Sequence, residues 1–142
     1  MKINRFCNLL HILQSLEWRK WKKAQQWGRL VKSHHAGEGE GKVEIKFVIR
    51  DENDWWRYNN FLSKEKETVE WIGKMEKGKT LWDFGAHIGQ YAILAAVRGL
   101  DCVCFELDWI NLSRIWENAV ENGVEDRMVL LPMAVGGREG WR

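Results

Sequence analysis

The chain has 142 residues, with 22 Lys and Arg against 20 Asp and Glu, and ten Trp beside a single Pro. That length suits one domain, and a net charge of +2 supplies no continuous basic track for nucleic acid. No apolar run approaches the roughly 20 residues of a membrane span, and three cysteines without a pairing or ligand pattern point to a reducing, cytoplasmic setting with neither disulfides nor a metal site.

Residues 3–33 read as a helix or a pair of helices, with Phe6, Leu9, Leu10, Leu13 and Leu16 at three- and four-residue spacing. Arg19, Lys20, Lys22, Lys23, Arg29 and Lys32 interleave with Trp18, Trp21 and Trp27. This pattern suits a helix lying on an anionic membrane surface, or an apolar stripe packed on its own domain beneath solvated lysines. Charges interrupt the segment and no small-residue cleavage site follows, so it does not read as a secretory signal. Residues 1–35 are therefore expected to be a basic, Trp-rich helical unit. Residues 34–41 read as a mobile Gly/Glu linker, in which His34 and His35 have no further ligands at metal-binding spacing. Residues 43–49 alternate as a half-exposed strand, residues 51–54 form a polar turn, and residues 55–61 read as a second strand or irregular chain. A helix over 68–75, capped near Thr68, completes a lead-in unit spanning 36–79.

Residues 80–142 carry the chemistry. Leu81, Trp82 and Phe84 suit a buried strand with Asp83 at its carboxyl end, followed by Gly85-Ala86-His87-Ile88-Gly89 and a helix over 88–98. The two glycines let the backbone approach a ligand and take angles that a Cβ forbids. In open parallel sheets, ligands sit beyond the carboxyl ends of the strands. Residues 102–105 form the next strand, terminated by Glu106, and the spacing from Asp83 is that of one strand–helix–strand unit. An acid there can accept hydrogen bonds from both ribose hydroxyls. The loop lacks the middle glycine of a dinucleotide fingerprint, so it suits a ligand without a pyrophosphate, such as S-adenosylmethionine (SAM), better than NAD. A third strand runs over 128–133.

Arg57, residues 64–72, 82–89, 105–108, 111–112, 117–118, 122–123 and 131–136 together resemble, in order and spacing, the FkbM family of SAM-dependent methyltransferases. The chain departs from the family at Lys66 and Leu107, where Pro is usual, and at His87, where Asn is usual. The resemblance implies a Rossmann-like class I α/β fold, of which this chain holds a parallel β-α-β-α-β half-sheet preceded by a helix and a short β segment. It is thus expected to be a truncated, N-terminal part, with an open edge on its first strand that invites self-association. The implied cofactor is SAM, and the implied acceptor is a hydroxyl of a small molecule or sugar. Asp83 is expected to orient the methionine ammonium, with Gly85, Ala86 and Gly89 giving close backbone approach. The following helix N-terminus would receive the carboxylate, and Glu106 would hold the ribose diol. Leu107 would cover one adenine face, Ala134 and Val135 would lie near its ring edge, and Glu67 near the methionine end. No residue reads as a general base. The alternatives are a non-catalytic SAM-binding or membrane-surface module and an NAD-dependent oxidoreductase.

Overall fold

The computed structural model describes residues 29–37 and 42–137. Two strands, β1 (Leu30–Ala36) and β2 (Val43–Ile49), pair antiparallel with Leu30 opposite Ile49 and Ala36 opposite Val43. Two helices follow, α1 (Glu52–Lys64) and α2 (Lys66–Lys74), and then β3 (Thr80–Phe84), α3 (Gln90–Val97), β4 (Asp101–Phe105), α4 (Trp109–Asn122) and β5 (Met128–Leu131). The last three strands form a parallel sheet in the order β3-β4-β5. The expected α/β, Rossmann-like β-α-β-α-β half-sheet is therefore present.

Local chemistry sets these boundaries. Asp51 caps α1 by accepting the Asp54 N–H at 2.9 Å, and Glu52 and Asp54 add negative charge to the first turn. Asp108 caps α4 by accepting the N–H groups of Ile110 at 2.7 Å and Asn111 at 3.2 Å. In α3, Ala92 through Ala96 are all buried, as befits a helix apolar all round and enclosed by its neighbours.

The helices α3 and α4 cover one face of the parallel sheet. Strand alternation turns Leu81, Cys102, Cys104 and Met128 inward, and all four are buried. Cys102 and Cys104 are core residues as expected, and burial lifts the Cys102 thiol to about 12. On the other face Trp82 and Phe84 remain 61% and 54% exposed, and the Phe84 ring stacks on Phe105 at 4.7 Å. The outer edge of β3 pairs with no described strand.

The β1–β2 hairpin packs on the far side of the helices, where Ile45, Phe47 and Ile49 join Phe61, Ile72, Ile93 and Leu94 in one core cluster. Two asparagines one turn apart on α4 lock this contact. Asn118 accepts the Val48 N–H at 2.8 Å and donates to the Ile88 carbonyl at 2.9 Å. Asn122 accepts the Lys46 N–H at 2.8 Å and donates to the Lys46 carbonyl at 2.7 Å. The free edge of β2 is thereby satisfied by side chains in place of a third strand. Nearby, Arg50 makes a two-pronged ion pair with Glu117, at 3.0 and 2.6 Å, and Arg114 reaches Asp54 at 3.1 Å.

Four expectations need correction. The helix expected through residue 33 is overturned at its end, because residues 30–36 are strand β1; residues 1–28, with the expected membrane-facing helix, lie outside the described residues. His34 belongs to that strand instead of a linker. Its ring stacks on Tyr58 at 4.1 Å and its Nε2 bonds the Tyr58 carbonyl at 2.8 Å. Residues 55–61 are helical, not a second strand, since the Asp51 cap starts a helix whose Tyr58 and Phe61 face the hairpin. The helix expected over 68–75 begins earlier, at Lys66.

Candidate functional site

The register between β3 and β4 places Asp83 opposite Cys104 and Phe84 opposite Phe105. Asp83 and Glu106 therefore stand at adjacent strand tips on the same end of the sheet. Between them the chain turns at Gly85, with φ of +74°, where a Cβ would meet nothing within 4 Å. The turn is fastened to β4 at several points. The Phe105 carbonyl accepts the N–H groups of Gly85 at 2.8 Å and Ala86 at 3.2 Å. Glu106 Oε2 accepts the His87 N–H at 2.8 Å, and Oε1 accepts the Asp108 N–H at 2.8 Å. Each oxygen keeps a second lone pair, so the carboxylate is fixed in orientation and still able to accept from a ligand.

A cleft of about 340 Å³ opens over this end of the sheet, lined by Phe84, Gly85, Phe105, Glu106, Leu107, Met133, Ala134 and Val135. Five of the expected site residues, Gly85, Glu106, Leu107, Ala134 and Val135, meet there. Phe84, Phe105 and Met133 were missed, although strand alternation already put both rings on the same face as the turn. The remaining expected residues lie elsewhere. Ala86 is buried beneath the turn. A Cβ on Gly89 would come within 3.0 Å of Ile115 Cγ2, so this glycine serves the packing of α3 on α4 and does not line the cleft. Glu67 is exposed on the first turn of α2, outside the cleft.

Asp83 lies behind the cleft and faces a second, polar group. It lies near the Ala92 N–H in the first turn of α3, which favours the ionised carboxylate. Its Oδ2 is buried without a protein partner, and burial raises the carboxyl to about 6. Arg57 Nε, His87 Nδ1 and Gln90 Oε1 are likewise buried without hydrogen-bond partners, and the Tyr91 hydroxyl lies beside Gln90 and Glu65. These groups lie close enough to act on one another's charge. Arg57 feels Tyr91, Glu106 and Glu65, while Asp83 feels Glu65 and Glu106. Tyr91 in turn feels Glu65 and Asp83. Burial lowers the Arg57 and His87 pKa values, and the Arg57 charge lowers His87 further. Glu65, at the start of α2, is thus near enough to act on the charge of Asp83. Among the described residues no group of three or more His, Cys, Asp or Glu is placed to hold a metal ion. No described helix is long and apolar enough to cross a membrane.

No protein-family model matches this sequence, and no curated protein matches it. Solved structures do. The Pyrococcus horikoshii protein PH0793, provisionally described as a transferase, superposes with a TM-score of 0.50 at 23% identity, over 73% of this chain and 36% of that one. TYW2 from P. horikoshii, solved with MeSAdo, gives a TM-score of 0.49 at 25% identity over 72% of this chain and 36% of its own. A SAM-dependent methyltransferase from Geobacter sulfurreducens, solved with S-adenosyl-L-homocysteine, gives 0.43 at 20% identity, over 49% of this chain and 28% of its own. The chain thus spans about a third of the length of the structures it matches, and the likeness to PH0793 extends the Rossmann-like assignment across most of the chain.

Proposed function

We propose that this chain forms the cofactor-binding part of a SAM-dependent methyltransferase of FkbM type that methylates a hydroxyl of a small molecule or sugar. The observation that carries the reading is the fixed Glu106 carboxylate in a cleft lined also by Leu107, Ala134, Val135, Phe84 and Phe105. An acid held by two backbone N–H groups suits a ribose diol, and the flat apolar walls suit an adenine ring. The Gly85 turn leaves space for close approach, and the unpartnered Asp83 Oδ2 suits an ammonium. The residues present therefore fit an S-adenosyl group.

Bound there, SAM supplies an electrophilic methyl group on a sulfonium. The roles of this chain are binding ones. Glu106 fixes the ribose, Leu107 and Val135 exclude water from the base, and Asp83 orients the amino acid end. Holding the donor in one orientation supplies most of what an in-line methyl transfer asks of the donor side.

Isothermal titration with S-adenosylhomocysteine tests the reading. The chain is expected to bind it, and Glu106→Gln, which replaces an acceptor oxygen with an amide N–H facing a backbone N–H, is expected to lose about tenfold or more in affinity. Absence of binding at millimolar ligand sinks the proposal, and tighter binding of NADH than of S-adenosylhomocysteine favours the oxidoreductase reading instead.

A further inference from the structure

The helix α4 carries an apolar stripe that the described residues leave exposed. Trp109, Ser113, Trp116 and Val120 follow one another at alternating four- and three-residue spacing, so they stand in one line along its outer side. All four are exposed, Trp109 to 75%. The opposite side, with Ile115, Asn118 and Ala119, is already buried. Such a stripe is one half of a helix–helix seam.

The same chain contains a matching half. Phe6, Leu9, Leu13 and Leu16 repeat with the same alternation of three and four residues. Each stripe corresponds to about 15 Å of helix. The chain also enters the described fold beside α4. Arg29, directly before β1, pairs its guanidinium with Glu121 in the last turn of α4. Residues 17–28 can extend to about 40 Å, whereas α4 is about 21 Å long, so the stripe of residues 6–16 can reach all of it.

Charge favours the same place. The link carries Arg19, Lys20, Lys22 and Lys23, and the C-terminal end of α4 leads into Glu125 and Asp126. Glu125 Oε2 is buried without a hydrogen-bond partner among the described residues. The other exposed apolar face, around Trp82 and Phe84, lies across the parallel sheet from the helices and the hairpin.

We propose that residues 3–18 dock as a helix along the Trp109–Val120 stripe of α4, with the Arg29–Glu121 pair fixing where the segment leaves the fold. The apolar side of the segment then belongs to its own domain and not to a membrane surface. This inference is independent of what the cleft binds.

Thiol labelling tests it on the full chain. Ser113 lies within the stripe and Ser63 is exposed on α1, and each hydroxyl donates to the carbonyl three residues earlier. Ser113→Cys and Ser63→Cys are therefore matched probes, made in a Cys7→Ser chain whose remaining Cys102 and Cys104 are buried. The Ser113→Cys thiol is expected to react with a maleimide about tenfold more slowly than the Ser63→Cys thiol. Adding Leu9→Lys and Leu13→Lys is expected to bring the two rates within about twofold. Equal rates for the two probes with the segment unaltered overturn the proposal, and that comparison needs no change in the segment. A slow rate that the lysines leave unchanged, with circular dichroism also unchanged, overturns it too. Slowing that grows with protein concentration would assign the stripe to a second copy. Slowing that appears only with phosphatidylserine vesicles would assign the segment to a membrane, and either result removes the intramolecular contact.

Discussion

Glu106 Oε2 accepts the backbone N–H of His87 at 2.8 Å, and this bond holds His87 in the left-handed region, at φ of 54°. Among the described residues His87 is the sole non-glycine with positive φ. Asn tolerates that region better than His. His87→Asn is therefore expected to raise stability by about 0.5 kcal/mol and the thermal midpoint by about 2 °C, with S-adenosylhomocysteine affinity unchanged. A β-branched residue fits the same angle poorly, so His87→Val is expected to lose about 1–2 kcal/mol. Thermal unfolding of the two variants checks both signs, and a stabilised Val variant would mean that the turn does not hold this angle.

Asn118 carries the join between hairpin and sheet layer, because its amide serves the Val48 N–H and the Ile88 carbonyl while fully buried. Asn118→Ala leaves both backbone groups without partners and is expected to cost about 3–4 kcal/mol. Asn122 performs the same service for Lys46 from a partly exposed position, so Asn122→Ala is expected to cost about 1–2 kcal/mol. Denaturant titration gives the ordering, and equal losses at the two sites would contradict it.

The parallel half-sheet and its ligand end were legible in the sequence because its first two strands are short apolar runs with an acid at the carboxyl end. Asp83 and Glu106 stood out by type and spacing, and the structure places them at neighbouring tips. The lead-in was harder to read. Residues 55–61 are rich in aromatic residues, which favour strands, yet the Asp51 cap and the packing of Tyr58 and Phe61 on Phe47 make them a helix. Strand β1 was hidden because its basic and histidine side chains mimic a solvated segment, and only its pairing with β2 reveals it. Asn118 and Asn122 were noticed only as parts of a motif, since nothing local says that an amide on a helix will finish the edge of a distant strand.

Trp82 and Phe84 lie on a sheet face left uncovered by the described residues, next to the free edge of β3. A flat apolar face beside an unpaired edge favours association with a second copy. Sedimentation velocity is expected to show concentration-dependent self-association that Trp82→Lys reduces, because a lysine on an edge strand opposes pairing. A chain that sediments as a monomer at every concentration would refute this.

Asp83 gives a pH dependence whose sign follows from its burial. Its pKa rises from 3.8 to about 6 on folding, so between those values the native state binds the proton more tightly than the unfolded chain. Stability is then expected to fall as pH rises from about 4 to about 6, and the loss persists above that window. Asp83→Asn keeps the shape of the side chain but removes the buried charge. The variant is expected to be more stable than the parent by about 1–2 kcal/mol at pH 7 and to match it near pH 4. Asp54, raised by burial to about 6 as well, remains to supply a residual slope in the variant. Ligand binding should run the other way. An ammonium needs the ionised carboxylate, so S-adenosylhomocysteine affinity of the parent is expected to drop below pH 6, and Asp83→Asn is expected to bind weakly with that pH step removed. A variant that gains stability at pH 7 and also keeps full affinity would remove Asp83 from the binding site.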